Sequence, residues 1–198
     1  MKKKVAVAMS GGVDSSLTAA LLIEQGYDVI GVTMTLSDES REAGGSTAVS
    51  DAKKVADALN IPHYVVNYHK KFKDDVIKYF ISEYAKGRTP NPCVRCNNTV
   101  KFGSLLKDCL ELGADCVATG HYARIEQDEK TGRYLLKKGL DVRKDQSYVL
   151  YTLTQDVLKH FMLPLGNYSK EKTRELAGKM NLPVANKPES QEICFNSK

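Results

Sequence analysis

No stretch of the 198-residue chain is apolar over the roughly 20 residues that a bilayer crossing needs, and neither an internal repeat nor a low-complexity tract is present. A membrane role is therefore not expected. The amino-terminal MKKKVAVAMSGG opens with the positive charge of an export signal, but its apolar run covers only Val5 to Met9 and leads into a glycine turn. A cytoplasmic protein is the expectation. The cysteines lack the even number and regular spacing of a disulfide framework: there are five, unevenly placed. Thiol chemistry or metal binding is the more natural reading, and it directs attention to Cys93, Cys96 and Cys194. A strong charge bias is also missing, since 29 basic and 24 acidic residues leave a net +5, which favours a polyanionic partner only weakly.

What is present reads as one sizeable α/β domain with a small appendage. Val5–Met9 is a short apolar strand ended by Gly11–Gly12, and Ser15 to Gln25 follows with Leu17, Leu21 and Leu22 at helical spacing, closed by Gly26. Val29–Met34 and Tyr64–Val66 read as strands, with a helix from Val49 to Leu59 between them. Alternating strands and helices imply a parallel twisted sheet with helices on both faces, and ligands at the carboxyl ends of its strands. A helix from Phe72 to Lys86 is expected to lead into a loop, Arg88 to Cys96, that two prolines hold out of helical conformation. Asn97 to Leu112 is helical and Cys116–Thr119 a fourth strand running into Gly120–His121. Tyr122 to Lys138 is a hairpin turning at Thr131–Gly132, and a last helix begins at Ser169 before an irregular tail from Asn181. Residues 1–165 are read as the catalytic body, and 166–198 as a helix and tail that carry Cys194.

The most informative segment is Ser10 to Ser16, SGGVDSS. At the end of a strand and the start of a helix, it gathers backbone N–H groups, serine hydroxyls and a positive helix end around one point, which suits an anion. The glycines allow close approach of a phosphate chain, and Asp14, a poor phosphate neighbour alone, suggests Mg²⁺ nearby. The segment lacks the Gly-Lys-Ser/Thr ending of a Walker loop and the spacing of a dinucleotide fingerprint. It resembles the pyrophosphate loop of enzymes that adenylate a carbonyl or carboxyl oxygen with ATP and release pyrophosphate.

Four further segments, GRTPNPCVRCN (87–97), ATGHYAR (118–124), KDQSYVLY (144–151) and NKPESQEICF (186–195), make nearly the whole chain very similar to the tRNA-specific 2-thiouridylase family. That resemblance implies an ATP-dependent sulfurtransferase that adenylates the C2 carbonyl of the wobble uridine of tRNA and replaces its oxygen with sulfur. It implies ATP contacts at Ala8, Met9, Ser10, Gly11, Gly12, Val13, Asp14, Ser15, Met34 and Gly120. It implies tRNA or base contacts at Asn91, Pro92, Cys93, His121, Lys144, Asp145 and Gln146. Cys96 matches the first catalytic cysteine, and Cys194 the one that carries a persulfide. The expected partners are tRNA and a sulfur donor such as a cysteine desulfurase or a relay protein, with a homodimer left open. Cys109 and Cys116 read as packing residues, and His63, His69 and His160 as surface or packing residues.

The chain departs from the family pattern at three places. Many members have aspartate where Cys93 stands, and the change creates Cys93-X-X-Cys96, which with Cys194 offers three thiolates to a 4Fe–4S iron–sulfur cluster. Persulfide and cluster routes both remain open at this level. The family continues well past the Cys194 motif into tRNA-holding domains, so tRNA is set against two alternatives: a small-molecule heterocycle, and a non-catalytic nucleotide-binding or sulfur-carrier module. Ser40 to Ser50, where many members have paired cysteines, reads as mobile.

Overall fold

The first strand, β1 (Lys4–Ala8), sends Val5 and Val7 into one hydrophobic cluster and Ala6 into another, all three fully buried. A strand buried on both sides needs helices on both sides. In the computed structural model, which describes residues 2–36, 47–189 and 194–195, these are supplied by two sets of helices. On the Val5 side, α1 (Val13–Glu24) and α2 (Thr47–Ala58) contribute Ala19, Leu22, Ala52, Val55 and Ala56. On the Ala6 side stand two composite helices. The first joins α3 (His69–Phe72) through a π-helical stretch, Lys73–Ile77, to α4 (Lys78–Ala85). The second joins α5 (Pro92–Cys96) through π-helical Asn97–Leu105 to α6 (Leu106–Glu111). Phe72, Val76, Val100, Phe102 and Leu105 fill that core.

The sheet adds β2 (Asp28–Thr35), β3 (His63–Asn67), β4 (Cys116–Ala118) and β7 (Phe161–Met162), in the order β3-β2-β1-β4-β7 with every pair parallel. Val5 lies between Val29 and Cys116, which fixes the register at the centre. The chain winds from β1 outward to β3 and then crosses back to place β4 on the other side of β1. The loops after β1 and β4 therefore part company, and the crevice between them is where such sheets bind ligands. The expected doubly wound architecture and the hairpin, β5 (Ala123–Gln127) with β6 (Tyr134–Lys138), are both present. After the short α7 (Gln155–Leu158), the final helix α8 (Lys170–Lys179) packs Ala177 against Leu17 and Leu21 of α1.

Three sequence expectations change. Arg88 to Cys96 is not loop throughout, because Pro92 begins α5. A proline at the first helical position loses no hydrogen bond, and Asn91 caps the turn by accepting from the N–H groups of Cys93 and Val94 at 3.0 and 3.3 Å. The two-residue β7 was missed because it is too short to show a period. Of the segment expected to be mobile, residues 40–46 lie outside the described residues, while Thr47–Ser50 form the first turn of α2.

Candidate functional site

The loop between β1 and α1 is built from its own hydroxyls. The Ser10 amide donates to Ser15 Oγ at 3.1 Å, and Ser15 and Ser16 both donate back to the Gly12 carbonyl, at 3.2 and 2.8 Å. Gly11 sits at φ +70°, where a Cβ would meet the Ala48 carbonyl oxygen at 2.4 Å, so only glycine fits. From the neighbouring strand end, Gly120 lies so close that its Cβ would be 3.0 Å from Asp14 and from the Ser15 nitrogen. The N–H groups of the first turn of α1 lack intrahelical acceptors and face the crevice that these glycines keep open. Ala8 and Met34 stand at the carboxyl ends of β1 and β2, half-buried against the core.

Two lysines from the carboxyl-terminal part fasten this loop. Lys170, whose side chain is only 11% exposed, donates to both Asp14 oxygens at 2.7 Å, and Tyr122 donates to Asp14 Oδ1 at 2.9 Å. Lys187 donates to the Gly11 carbonyl at 3.0 Å and pairs with Asp51 at 2.7 Å, which holds the Asp51 carboxyl below the usual range. Glu189 then joins two cations, Lys170 at 3.4 Å and Lys144 at 2.8 Å. Lys144 is thereby tied to the loop that holds Asp14. Its neighbours serve as braces: Asp145 accepts from the Gly139 amide at 2.9 Å and from the Ser147 hydroxyl at 2.8 Å, and Gln146 accepts from the Tyr122 amide at 3.0 Å.

Cys96 is buried, 6% exposed, while Cys93 and Cys194 are exposed. Burial pushes the Cys96 thiol up to about 11, with Lys101 pulling down and the charges of Cys194 and Cys93 pushing up. The Cys194 thiol, on a residue exposed overall, is raised by partial loss of water around the sulfur, and it also feels Lys101 and Cys93. Lys101 acts in turn on His121, whose imidazole burial pushes down to about 3 and whose Nδ1 lies 2.6 Å from Thr119 Oγ1. Cys96, Cys194 and His121 thus share the field of one lysine. Cys109 and Cys116 are buried packing residues, as expected. The described residues contain no group of three or more His, Cys, Asp or Glu arranged to hold a metal ion.

Sequence reasoning missed Lys170, Tyr122, Lys101 and Phe195. Lys187, Glu189 and Phe195 lie in the NKPESQEICF segment and Tyr122 in ATGHYAR, so these four were within reach. Lys170 carried no local signal, because its partner is 156 residues away.

The same fold is found in known proteins. A 4-thiouridine synthetase, solved as an RNA complex with bound ATP, aligns with a TM-score of 0.61 at 19% identity, over 98% of this chain and 45% of that one. NMN synthetase from Francisella tularensis aligns with a TM-score of 0.55 at 18% identity, over 96% and 66%. The class is accordingly the α/β fold that these two synthetases share. Within it the chain belongs to the tRNA methyl transferase HUP domain family, which matches residues 3–198. The tRNA-specific 2-thiouridylase MnmA 1 of Caldanaerobacter subterraneus subsp. tengcongensis is 59% identical over 98% of this chain and 56% of its own length. MnmA of Clostridioides difficile is 55% identical over the same shares. The chain thus spans little more than half the length of these relatives.

Proposed function

We propose that the chain is the ATP-using catalytic part of a tRNA sulfurtransferase that makes 2-thiouridine at the wobble position. The observation that carries this reading is the bridge made by two consecutive residues. Gly120 abuts Asp14 and Ser15 of the phosphate loop, and His121 shares Lys101 with Cys96 and Cys194. Activation and sulfur delivery then meet at one strand end. The relatives named as 2-thiouridylases support the choice of substrate.

In the reaction the uridine O2 attacks the α-phosphorus of ATP and pyrophosphate leaves. The terminal sulfur of a persulfide on Cys194 attacks C2 and expels AMP. The Cys96 thiolate then attacks the Cys194 sulfur, leaving 2-thiouridine and a Cys96–Cys194 disulfide, which a dithiol reductant reopens. The first-turn amides of α1 receive the phosphates, and neutral His121 offers the base a hydrogen-bonding neighbour rather than a charge. We assign Asn91 to Cys93 to the wall facing the base and Lys144 to the nucleic-acid side, with Asp145 and Gln146 holding that loop. Residues 1–165 form the catalytic body in this reading, and 166–198 bring Cys194 to it. A cysteine desulfurase or relay protein in the cytoplasm is the assigned sulfur donor.

Mg²⁺ accompanies ATP and neutralises phosphate charge, and it needs few protein ligands. Asp14 is the residue that would hold it, in exchange for Lys170. An iron–sulfur cluster fits less well. Thiolates are suitable donors, but among the described residues Cys93, Cys96 and Cys194 are not arranged as a metal-holding group. The test is incubation with tRNA, ATP and a persulfide donor. Formation of 2-thiouridine with AMP and pyrophosphate supports the reading. Pyrophosphate exchange stimulated by a small heterocycle but not by tRNA reassigns the substrate, and no ATP turnover at all leaves a nucleotide-binding or sulfur-carrier module.

A further inference from the structure

The residue that follows Cys194 is anchored. The Phe195 ring meets Phe72 edge-on, with centroids 5.7 Å apart and planes at 66°, and meets Phe80 at 5.3 Å and 81°. Both are the offset, edge-to-face arrangements that aromatic rings prefer. Phe80 is itself backed by Tyr84 at 4.8 Å and 63°, so the seat is a slot built on α3 and α4. Phe72, 1% exposed, belongs to the same hydrophobic cluster as Cys96, and Phe195 packs against that cluster. One reactive thiol and the neighbour of the other are therefore parts of a single packed core.

This matters because adjacent Cα atoms are only about 3.8 Å apart. A seated Phe195 ring restricts the volume open to the exposed Cys194, whose charge reaches Cys96 and pushes its thiol up. Thiol–disulfide exchange requires sulfur to approach sulfur along a defined line, and cysteines pair only when their Cα atoms come within about 7 Å. An aromatic side chain next to an exposed cysteine, half-buried where a polar residue would leave the segment free, is a tether of the kind such an approach needs.

We propose that Phe195 is a positioning residue whose ring, seated between Phe72 and Phe80, delivers Cys194 to Cys96. It touches neither nucleotide nor base. The proposal deepens the reading of Cys96 and Cys194 as a reacting pair and rests on it, but its test does not require thiolation. The same seat predicts that the Cys96–Cys194 disulfide forms readily once both thiols are free.

The experiment uses the full chain with Cys93→Ala, so that Cys93 cannot compete for Cys96, treated with oxidised glutathione. Each cross-link reduces one oxidised glutathione to two thiols while the two cysteines lose two electrons and two protons. The rate is followed by peptide mass mapping. Adding Phe195→Ala is expected to slow formation of the Cys96–Cys194 bond about tenfold or more, as loss of two edge-to-face contacts implies, while Phe195→Tyr keeps the parent rate. Phe80→Ala, on the half-buried outer wall of the slot, is expected to act in the same direction without touching the cysteine segment. ATP binding serves as the check on folding. Unchanged cross-linking in both Phe195→Ala and Phe80→Ala overturns the proposal, and so does a parent protein that forms no Cys96–Cys194 bond. A protein that cross-links as described yet makes no 2-thiouridine counts against the proposed function and leaves the positioning role standing.

Discussion

Cys96 sits where a thiol is kept protonated and where one cation opposes that tendency. Its thiol is pushed up to about 11 by burial, and Lys101, five residues on along a π-helical stretch, is the group that pulls it down. In a helix with five-residue hydrogen bonding, positions i and i+5 come round to nearly the same side, which an α-helix would not achieve. Alkylation of Cys96 by iodoacetamide should therefore rise about tenfold per pH unit from 7 towards 10, as the thiolate fraction does. Lys101→Gln should slow it throughout that range, and Lys101→Arg should not. A rate that levels off by pH 8 would show that Cys96 is already ionised. At the proposed phosphate loop the decisive residue is Lys170, which donates to both oxygens of Asp14. Removing it leaves the Asp14 charge with only the Tyr122 hydroxyl where phosphates would enter, a loss of about 1.5–3 kcal/mol for a charged hydrogen bond, or about tenfold or more in ATP affinity. Calorimetry with ATP in the absence of Mg²⁺ should show Lys170→Ala binding ATP more weakly, with Asp14→Asn restoring much of the loss in the double variant.

Among the elements, the turn from β1 into α1 sets the tightest steric demand. Gly11→Ala must accept φ +70° and drive its methyl to 2.4 Å from the Ala48 carbonyl. Gly26→Ala at the far end of the helix meets a similar φ of +86° but finds nothing within 4 Å. The second change should cost about 1 kcal/mol in denaturant unfolding, the penalty of the left-handed region alone. The first should cost more and abolish ATP binding. These elements were legible because their causes are local: Gly11–Gly12 ends a strand, Leu17, Leu21 and Leu22 mark a helix face, and Gly26 stops it. Pro92 was misread for an equally local reason. The same residue that breaks a helix interior begins one comfortably, and Asn91 just before it was the capping signal that decided between the two.

For the molecule as a whole, the pairings that join the phosphate loop to the carboxyl-terminal segment had no sequence signature. Lys170 with Asp14, Lys187 with Gly11 and Glu189 with Lys144 depend on how α8 lies against α1, and only the fold brings them together. The motif segments named candidate residues, but the contacts that support those residues had to be seen. Two buried thiols also give the whole fold a pH dependence. Cys96 and Cys109 are raised from 9.0 to about 11 and about 12, so their burial stabilises the fold fully below pH 9. That stability is lost as pH rises through the folded values, at no more than about 1.4 kcal/mol per unit for each thiol. Thermal melting should fall between pH 9 and 11, and less steeply in Cys109→Ala. The central claim, that one strand end unites ATP activation with sulfur delivery, is tested most directly by counting products in a single reaction of the wild-type chain with tRNA, ATP and a persulfide donor. The account predicts equal yields of AMP, pyrophosphate and 2-thiouridine, with 2-thiouridine lost in Cys194→Ala; pyrophosphate release that tRNA does not stimulate, or thiolation that survives without Cys194, would contradict it.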